Sequence, residues 1–262
     1  MTHPNLIVEQ RGSVATVALN RPDKNNTVDA EMMRAMVEAL HRLGVGGDVR
    51  IVLLEGVGEH FCGGRDPGPT RPDTAAGWND VLGRIVETNR ALATFPGITI
   101  ALAKGRVRGF GCGLAVQCDI TLAADDARFS FPEINAGFPP SVVMSYLSRW
   151  TFRKKAFELV ITGDEISADE AERVGLVNRV VPPGELEAEG KRWADKLLEL
   201  DAAAIAACKT FFRDTAFMHT DEAADLGVSF LADFNLSRLG GSHGSIVYSL
   251  WPGSLAGGAL SS

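Results

Sequence analysis

Short apolar runs set apart by glycine-bearing turns fill the first half of the chain. Residues 6–8 and Val14–Leu19 flank Gln10-Arg11-Gly12-Ser13, and two such runs about a Gly-containing turn predict a β-hairpin. The period then changes from two to between three and four. Met33, Val37 and Leu40, with Met32, Met36 and Leu43 beside them, form one buried stripe of a helix that Asp29 is placed to cap and that ends near Gly44 or Gly46. The runs at 51–54, Ile98–Ala103 and Ile120–Ala124 are apolar without alternation, the pattern of strands covered by helices. A Gly/Pro-rich loop over 56–72 and a helical segment over 76–94 separate the first two. From Ser141 onward helical spacing dominates, broken at Gly163, Gly175 and Pro182-Pro183-Gly184.

Strands alternating with helices, followed by helices alone, predict an α/β architecture with a helical C-terminal extension. The expected divisions are a core over 1–183, a helical region over 184–239 and a Gly/Ser-rich tail over 240–262. The back helices carry Trp193, Leu197, Leu198, Phe211, Phe212, Phe230, Leu231 and Phe234, more apolar surface than three helices hide by themselves. They are therefore expected to dock on another subunit. The tail reads as mobile, with Tyr248 and Trp251 the residues that could anchor part of it.

Composition narrows the function classes. Of 262 residues, 45% are hydrophobic and 23% charged, values that suit a packed core and not a disordered chain. With 26 Lys+Arg against 33 Asp+Glu the net charge is −7, which repels phosphate backbones and disfavours a nucleic-acid binder. No run approaches the ~20 apolar residues of a membrane span, and residues 1–10 lack the basic-then-apolar layout of a signal peptide, so a cytoplasmic protein is expected. Cys62, Cys112, Cys118 and Cys208 show no C-x-x-C spacing and read as reduced thiols, not as a zinc site or redox dithiol.

Candidate chemistry begins with two glycine-rich loops. One is Phe61-Cys62-Gly63-Gly64-Arg65-Asp66, after the 51–54 strand; the other is Gly109-Phe110-Gly111-Cys112-Gly113-Leu114-Ala115, after Ile98–Ala103. A Gly-rich turn entering a helix leaves backbone N–H groups pointing outward, where they can hold an anion or a developing oxyanion. Either loop alone is equally a structural turn. Neither carries the full phosphate-binding pattern G-x-x-x-x-G-K-[ST].

Their combination with other motifs is specific. In order come Asn20-Arg21-Pro22, the two loops with Cys118-Asp119-Ile120, then Phe131-Pro132-Glu133 and Leu159-Val160-Ile161-Thr162-Gly163-Asp164. Ala168-x-x-Ala171-x-x-x-Gly175-Leu176-Val177-Asn178-Arg179-Val180-Val181-Pro182 follows. Over residues 6–183 this succession resembles the crotonase superfamily, the enoyl-CoA hydratase/isomerase family. The resemblance implies a spiral of ββα units whose C-terminal helices complete a homotrimer, often stacked as a hexamer. It also implies an acyl-CoA thioester substrate and no metal or redox cofactor. By matching position, the N–H groups of Arg65 and Phe110 would form the oxyanion hole, with Gly64, Gly109 and Gly113 bordering the thioester. The Asp23-Lys24-Asn25-Asn26 loop would lie near the adenine and phosphates of coenzyme A.

The residues support such chemistry on their own terms. A thioester α-proton is too weakly acidic for an ordinary carboxylate until hydrogen bonds stabilise the enolate, each well-placed donor contributing roughly 3–4 kcal/mol. Glu133, in the apolar setting Phe129-Ser130-Phe131-Pro132-Glu133-Ile134, is the candidate base, because desolvation there raises a carboxyl pKa. It also falls on the position of a catalytic glutamate in the family. Hydratases of the family carry a second glutamate where this chain has Gly113. That departure favours double-bond isomerisation, which needs one group to take a proton at one carbon and return it at another, and suggests a roomier pocket for a bulky or branched acyl group. Hydration through another second group, acyl-CoA hydrolase or lyase chemistry, and a non-catalytic acyl-CoA-binding role are the alternatives.

Other candidates are weaker. Cys112, at an expected helix start, is a candidate nucleophile, but no His is placed to serve as its base. His60 and Cys62 would point to opposite sides of an extended segment. Arg106 and Arg108 could reach phosphate, or form a solvated strand about Val107. Asp66 orders its loop by accepting local hydrogen bonds or borders the substrate. The 76–94 helix offers Asn79, Glu87 and Asn89 to a pocket it would line.

Overall fold

The computed structural model describes residues 3–68 and 72–239. β1 (Leu6–Arg11) and β2 (Val14–Leu19) form the expected antiparallel hairpin, turning at Gly12, whose φ of 60° suits glycine. α1 (Ala30–Val45) begins at Asp29, whose side chain accepts the Met32 N–H, and buries Met32, Met33, Met36 and Leu40. Then come β3 (Ile51–Gly56), α2 (Ala75–Ala93), β4 (Ile98–Ala103), β5 (Arg106–Arg108), α3 (Phe110–Gln117), β6 (Ile120–Ala124) and β7 (Arg128–Ser130). A 3₁₀ turn over Pro132–Ala136 leads to α4 (Ser141–Met144), α5 (Arg153–Thr162), β8 (Ile166–Ser167), α6 (Ala168–Arg173) and β9 (Arg179–Val181). α7 (Leu186–Leu198), α8 (Ala202–Thr215) and α9 (Thr220–Leu239) complete the described chain.

The strands lie in two sheets. The larger runs β1-β2-β3-β4-β6-β9, parallel from β2 onward; the smaller is β5-β7-β8. After β4 the chain steps from the larger sheet to the smaller across Lys104 and Gly105, then enters α3. After β6 it steps across 125–127 to β7. Gly105 permits the first step: its φ is 51°, and a Cβ there would come within 2.4 Å of the Glu59 carbonyl oxygen. Segment 61–62 repeats the pattern one turn earlier, because Cys62 bridges to Val107. Strand, strand, helix, repeated with a sideways step, is the ββα spiral anticipated from the motifs.

Three short strands depart from the sequence reading. β7, β8 and β9 span only two or three residues each, too few for a period to register, and the stretch after Ser141 holds the last two. In β5 the alternation is as expected, with Val107 buried and both arginines exposed.

The chain divides into two compact units, residues 1–208 and 209–262. The first unit runs past the 183 boundary because α7 packs on the larger sheet. Leu186 and Ala194 join Ile51, Ile100, Leu102 and Leu122 in one cluster, with Trp193, Leu197 and Leu198 against it. Expected to seek another subunit, these three aromatic and aliphatic residues instead cover the sheet of their own chain. Arg50 holds the end of α7, its guanidinium donating to the Leu198 carbonyl at 2.9 Å, where a cation also complements the helix dipole. In the second unit the Phe211 and Phe230 rings meet at 5.1 Å, while Phe212, Phe217, Val228, Leu231 and Leu236 are exposed. The tail reading of 240–262 lies outside the described residues. No helix among the described residues is long and apolar enough to cross a membrane.

Candidate active site

The two glycine-rich loops meet. A Cβ at Gly111 would fall 2.4 Å from the Cys62 carbonyl oxygen, and one at Gly64 would fall 3.1 Å from that of Arg108 and 4.0 Å from the Phe110 nitrogen. Only glycine lets backbones approach so closely, and Gly64, at φ 113°, and Gly109, at φ 54°, need it for their conformations as well. The loop bearing Arg65 is fixed by a parallel bridge to Val28, in which Val28 N–H donates to Gly64 and Asp66 N–H donates to Val28. Phe110 is the first residue of α3, so its N–H has no partner inside the helix, and no described residue accepts it. The Arg65 and Phe110 backbones thus lie side by side at a helix start.

Both loops, α2 and residues 132–146 enclose a cavity of about 570 Å³. Its lining is mainly apolar: Trp78, Leu82 and Ile85 from α2, then Phe138, Val142 and Val143. The Trp78 and Phe138 rings close one side with centroids 5.9 Å apart. Of the polar residues that the sequence offered from this helix, Asn79 and Glu87 are exposed and Asn89 is buried, and none lines the cavity. The helix contributes its apolar face.

Glu133 does line the cavity. Pro132 starts the 3₁₀ turn that carries it, and its Oε1 packs against Gly109, where a Cβ would be 3.1 Å away. Its Oε2 is buried with no hydrogen-bond partner. Burial raises its pKa above the ordinary 4.5, opposed by its own backbone N–H and by the Arg108 cation. A carboxyl group with a free buried oxygen, one residue from an unpartnered N–H, can exchange a proton with an atom bound between them.

Gly113 also lines up as expected on α3, but the space beside it is not empty. A Cβ there would lie 2.7 Å from the Tyr146 hydroxyl oxygen. The roomier pocket anticipated at this point is corrected: the tyrosine ring occupies the volume that glycine leaves. Sequence reasoning passed over Tyr146, which sits in the apolar run Ser141-Val142-Val143-Met144-Ser145-Tyr146-Leu147 and reads there as core.

The remaining candidates separate into outward and inward groups. Lys24 is exposed and Asn25 half-buried, the latter with φ 51° and its carbonyl oxygen accepting the Gly63 N–H at 2.7 Å. Asn26 is fully buried. Its Oδ1 accepts the Arg21 N–H at 2.8 Å, and its Nδ2 donates to the carbonyls of Val57 and His60, so it holds three loops together and offers nothing to a ligand. Asp66 accepts the Gly68 N–H at 3.0 Å and pairs with Arg21 at 2.8 Å, contacts that hold its pKa below the usual carboxylate range. It orders its loop. Asp119 accepts the Thr99 N–H, and Asn178 accepts that of Thr121, tying neighbouring strands of the larger sheet.

The two thiols of the glycine-rich loops are buried. Burial pushes Cys62 up to about 12 and Cys112 well above its ordinary value, so neither supplies a thiolate near neutral pH. The His60 imidazole accepts the Arg106 N–H through Nδ1, away from a dyad with Cys62. No cluster of three or more His, Cys, Asp or Glu suited to a metal occurs among the described residues.

Comparison with known proteins agrees with this fold. Residues 9–236 match the family model described as enoyl-CoA hydratase/isomerase. A short-chain-enoyl-CoA hydratase of Clostridium acetobutylicum is 34% identical over 209 residues, 78% of this chain and 79% of its own. Among solved structures, an enoyl-CoA hydratase of Mycobacterium smegmatis superimposes with a TM-score of 0.84 at 33% identity, covering 88% of this chain and 91% of that one. Human enoyl coenzyme A hydratase domain-containing protein 3 gives 0.82 at 26% identity, over 87% and 91%.

Proposed function

Because the chain belongs to the enoyl-CoA hydratase/isomerase family, we propose that it moves a proton at the α-carbon of an acyl-CoA thioester, with Glu133 as its one carboxylate and double-bond isomerisation as the preferred outcome. The observation that carries this reading is the Glu133 carboxyl group, its Oε1 beside Gly109 and its Oε2 buried without a partner, next to the residue whose N–H opens α3, with a glycine at 113. In a 3-enoyl thioester, Glu133 takes a proton from C2. The electron pair moves onto the thioester oxygen, held by the N–H groups of Arg65 and Phe110. The protonated Glu133 then returns its proton to C4, leaving the double bond between C2 and C3 and the carboxylate regenerated. No metal or redox cofactor enters this sequence.

A raised carboxyl pKa suits both halves of the cycle, since the group must accept and release one proton. Hydration is the second reading, favoured by the activity named for the Clostridium relative. It requires a second polar group to handle water, which Gly113 does not supply. The exposed Lys24 is suited to the phosphates of coenzyme A, and the exposed Phe212, Phe217 and Leu231 to burial in a homotrimer or hexamer. Exchange of the α-protons of a saturated acyl-CoA in deuterium oxide, followed by mass spectrometry, tests the proton transfer. The native protein should incorporate deuterium and Glu133→Gln should not. Equal exchange in both would remove Glu133 from the chemistry.

A further inference from the structure

Tyr146 belongs to none of the motifs that led to the site, and the mechanism above makes no use of it. It is 7% exposed, and it lines the cavity among apolar neighbours. No described residue hydrogen-bonds its hydroxyl. A phenol hydroxyl that lines an apolar cavity and has no partner in the protein is left to bond to whatever polar atom enters the cavity. Burial, with Cys112 and Glu133 adding to it, raises the pKa of the phenol, so it remains a neutral donor at all ordinary pH. Two polar side chains therefore line the same apolar cavity: Tyr146, its hydroxyl beside Gly113, and Glu133, its Oε1 beside Gly109 and its Oε2 without a hydrogen-bond partner.

The position of the phenol relates it to the substrate. Gly113 lies three residues along α3 from Phe110, which is less than one helical turn, or about 5 Å of rise. A thioester oxygen held by the Phe110 N–H would thus place the first few acyl carbons next to the hydroxyl. We propose that the Tyr146 hydroxyl donates a hydrogen bond to an oxygen held beside Gly113 and opposite Glu133, making Tyr146 the polar group that replaces a side chain at position 113. This rests on the thioester reading given above. The oxygen has two possible sources, a substituent on the acyl chain near its third carbon or a water molecule poised against that carbon.

The test uses the full chain and Tyr146→Phe, which keeps the ring and removes the donor. In one arm, calorimetry measures binding of a saturated acyl-CoA and of the 3-hydroxyacyl-CoA of equal length. In the other, hydration of the matching 2-enoyl-CoA is followed. Loss of about 5- to 30-fold in affinity for the hydroxylated ligand alone assigns the oxygen to the acyl chain. A similar fall in hydration kcat, with KM unchanged, assigns it to water. Neither change, in a variant whose melting temperature is unaltered, overturns the proposal. Gly113→Ala provides an independent route, since its Cβ would force the hydroxyl aside while the phenol remains present. It should reproduce the loss of discrimination between the hydroxylated and the unsubstituted ligand; retention of full selectivity would contradict the proposal. The binding arm involves no proton transfer, so failure of the isomerase reading, seen as turnover independent of Glu133, would leave this result interpretable.

Discussion

Along one wall of the cavity run the backbones of Gly63, Gly64, Arg65, Gly109 and Phe110; along the other lie the side chains of Glu133 and Tyr146. The walls differ in what fixes them. The backbone wall depends on glycines at positive φ and on contacts in which a single added Cβ would collide with a carbonyl oxygen. Chemistry done by backbone groups would be independent of side-chain identity, so Arg65 and Phe110 are compatible with it. The side-chain wall depends on which residues occupy a short 3₁₀ turn and the segment around α4. Under the proposed function, the first wall would supply a place for negative charge and the second would decide what happens to the acyl chain.

Removing chemistry from the second wall should give the largest effect. Glu133→Gln preserves shape, yet takes away the only carboxylate lining the cavity among the described residues, and is expected to lower isomerisation by on the order of 10²–10⁴. Steady-state assay of a 3-enoyl-CoA measures it. A loss under tenfold would move the catalytic weight to the backbone wall.

Phe110→Pro attacks that wall directly. Phe110 is the first residue of its helix, the position where proline is best tolerated, so the substitution deletes one N–H with little disturbance of α3. A fall of about 10²–10³ in kcat is expected if this donor holds the developing oxyanion, with a melting temperature close to that of the native protein. Unchanged turnover in a folded variant would remove Phe110 from the oxyanion hole.

A smaller effect tests the electrostatics of Glu133. Because its folded pKa lies above 4.5, the folded protein holds this proton more tightly than the unfolded chain does. Its favourable contribution is complete below 4.5 and is lost as pH rises through the folded value. Melting temperatures of the native protein and Glu133→Gln should therefore diverge in favour of the variant as pH increases through that window. Activity should climb over the same range, with its midpoint above 4.5, as the base becomes ionised. A gap that is constant with pH would show that Glu133 titrates as it does in an unfolded chain.

The smallest change belongs to the solvent edge. Lys24→Ala is expected to raise KM for a coenzyme A thioester by a few-fold, more at low salt than at high, since an exposed cation contributes about 1 kcal/mol or less. A KM indifferent to both substitution and salt would place coenzyme A elsewhere.

The contrast between the walls also marks what the sequence could disclose. Gly64, Gly109 and Gly111 announce the backbone wall because a glycine is visible wherever a backbone needs freedom or close approach. Asp29 likewise announces α1 by a local bond to Met32. Glu133 was legible through its proline and its apolar setting. Asn26 misled, because an asparagine at φ 54° looks the same in a sequence whether it faces a ligand or ties three buried carbonyl and amide groups together. Tyr146 was illegible for a different reason. Its place beside the cavity comes from packing next to Gly113, far away in sequence, and no local pattern encodes which side chain fills the volume beside a distant glycine. The surface of α7 misled similarly, its apolar residues being matched to the chain's own sheet and not to another subunit.

The central claim, one carboxylate working against a backbone oxyanion hole, is tested most directly by measuring two rates on the native protein: isomerisation of a 3-enoyl-CoA and hydration of the 2-enoyl-CoA of the same length. The account predicts that isomerisation is the faster by at least about tenfold and that both rates collapse in Glu133→Gln. Hydration equal to or faster than isomerisation would contradict it, and would mean that a second group completes the side-chain wall.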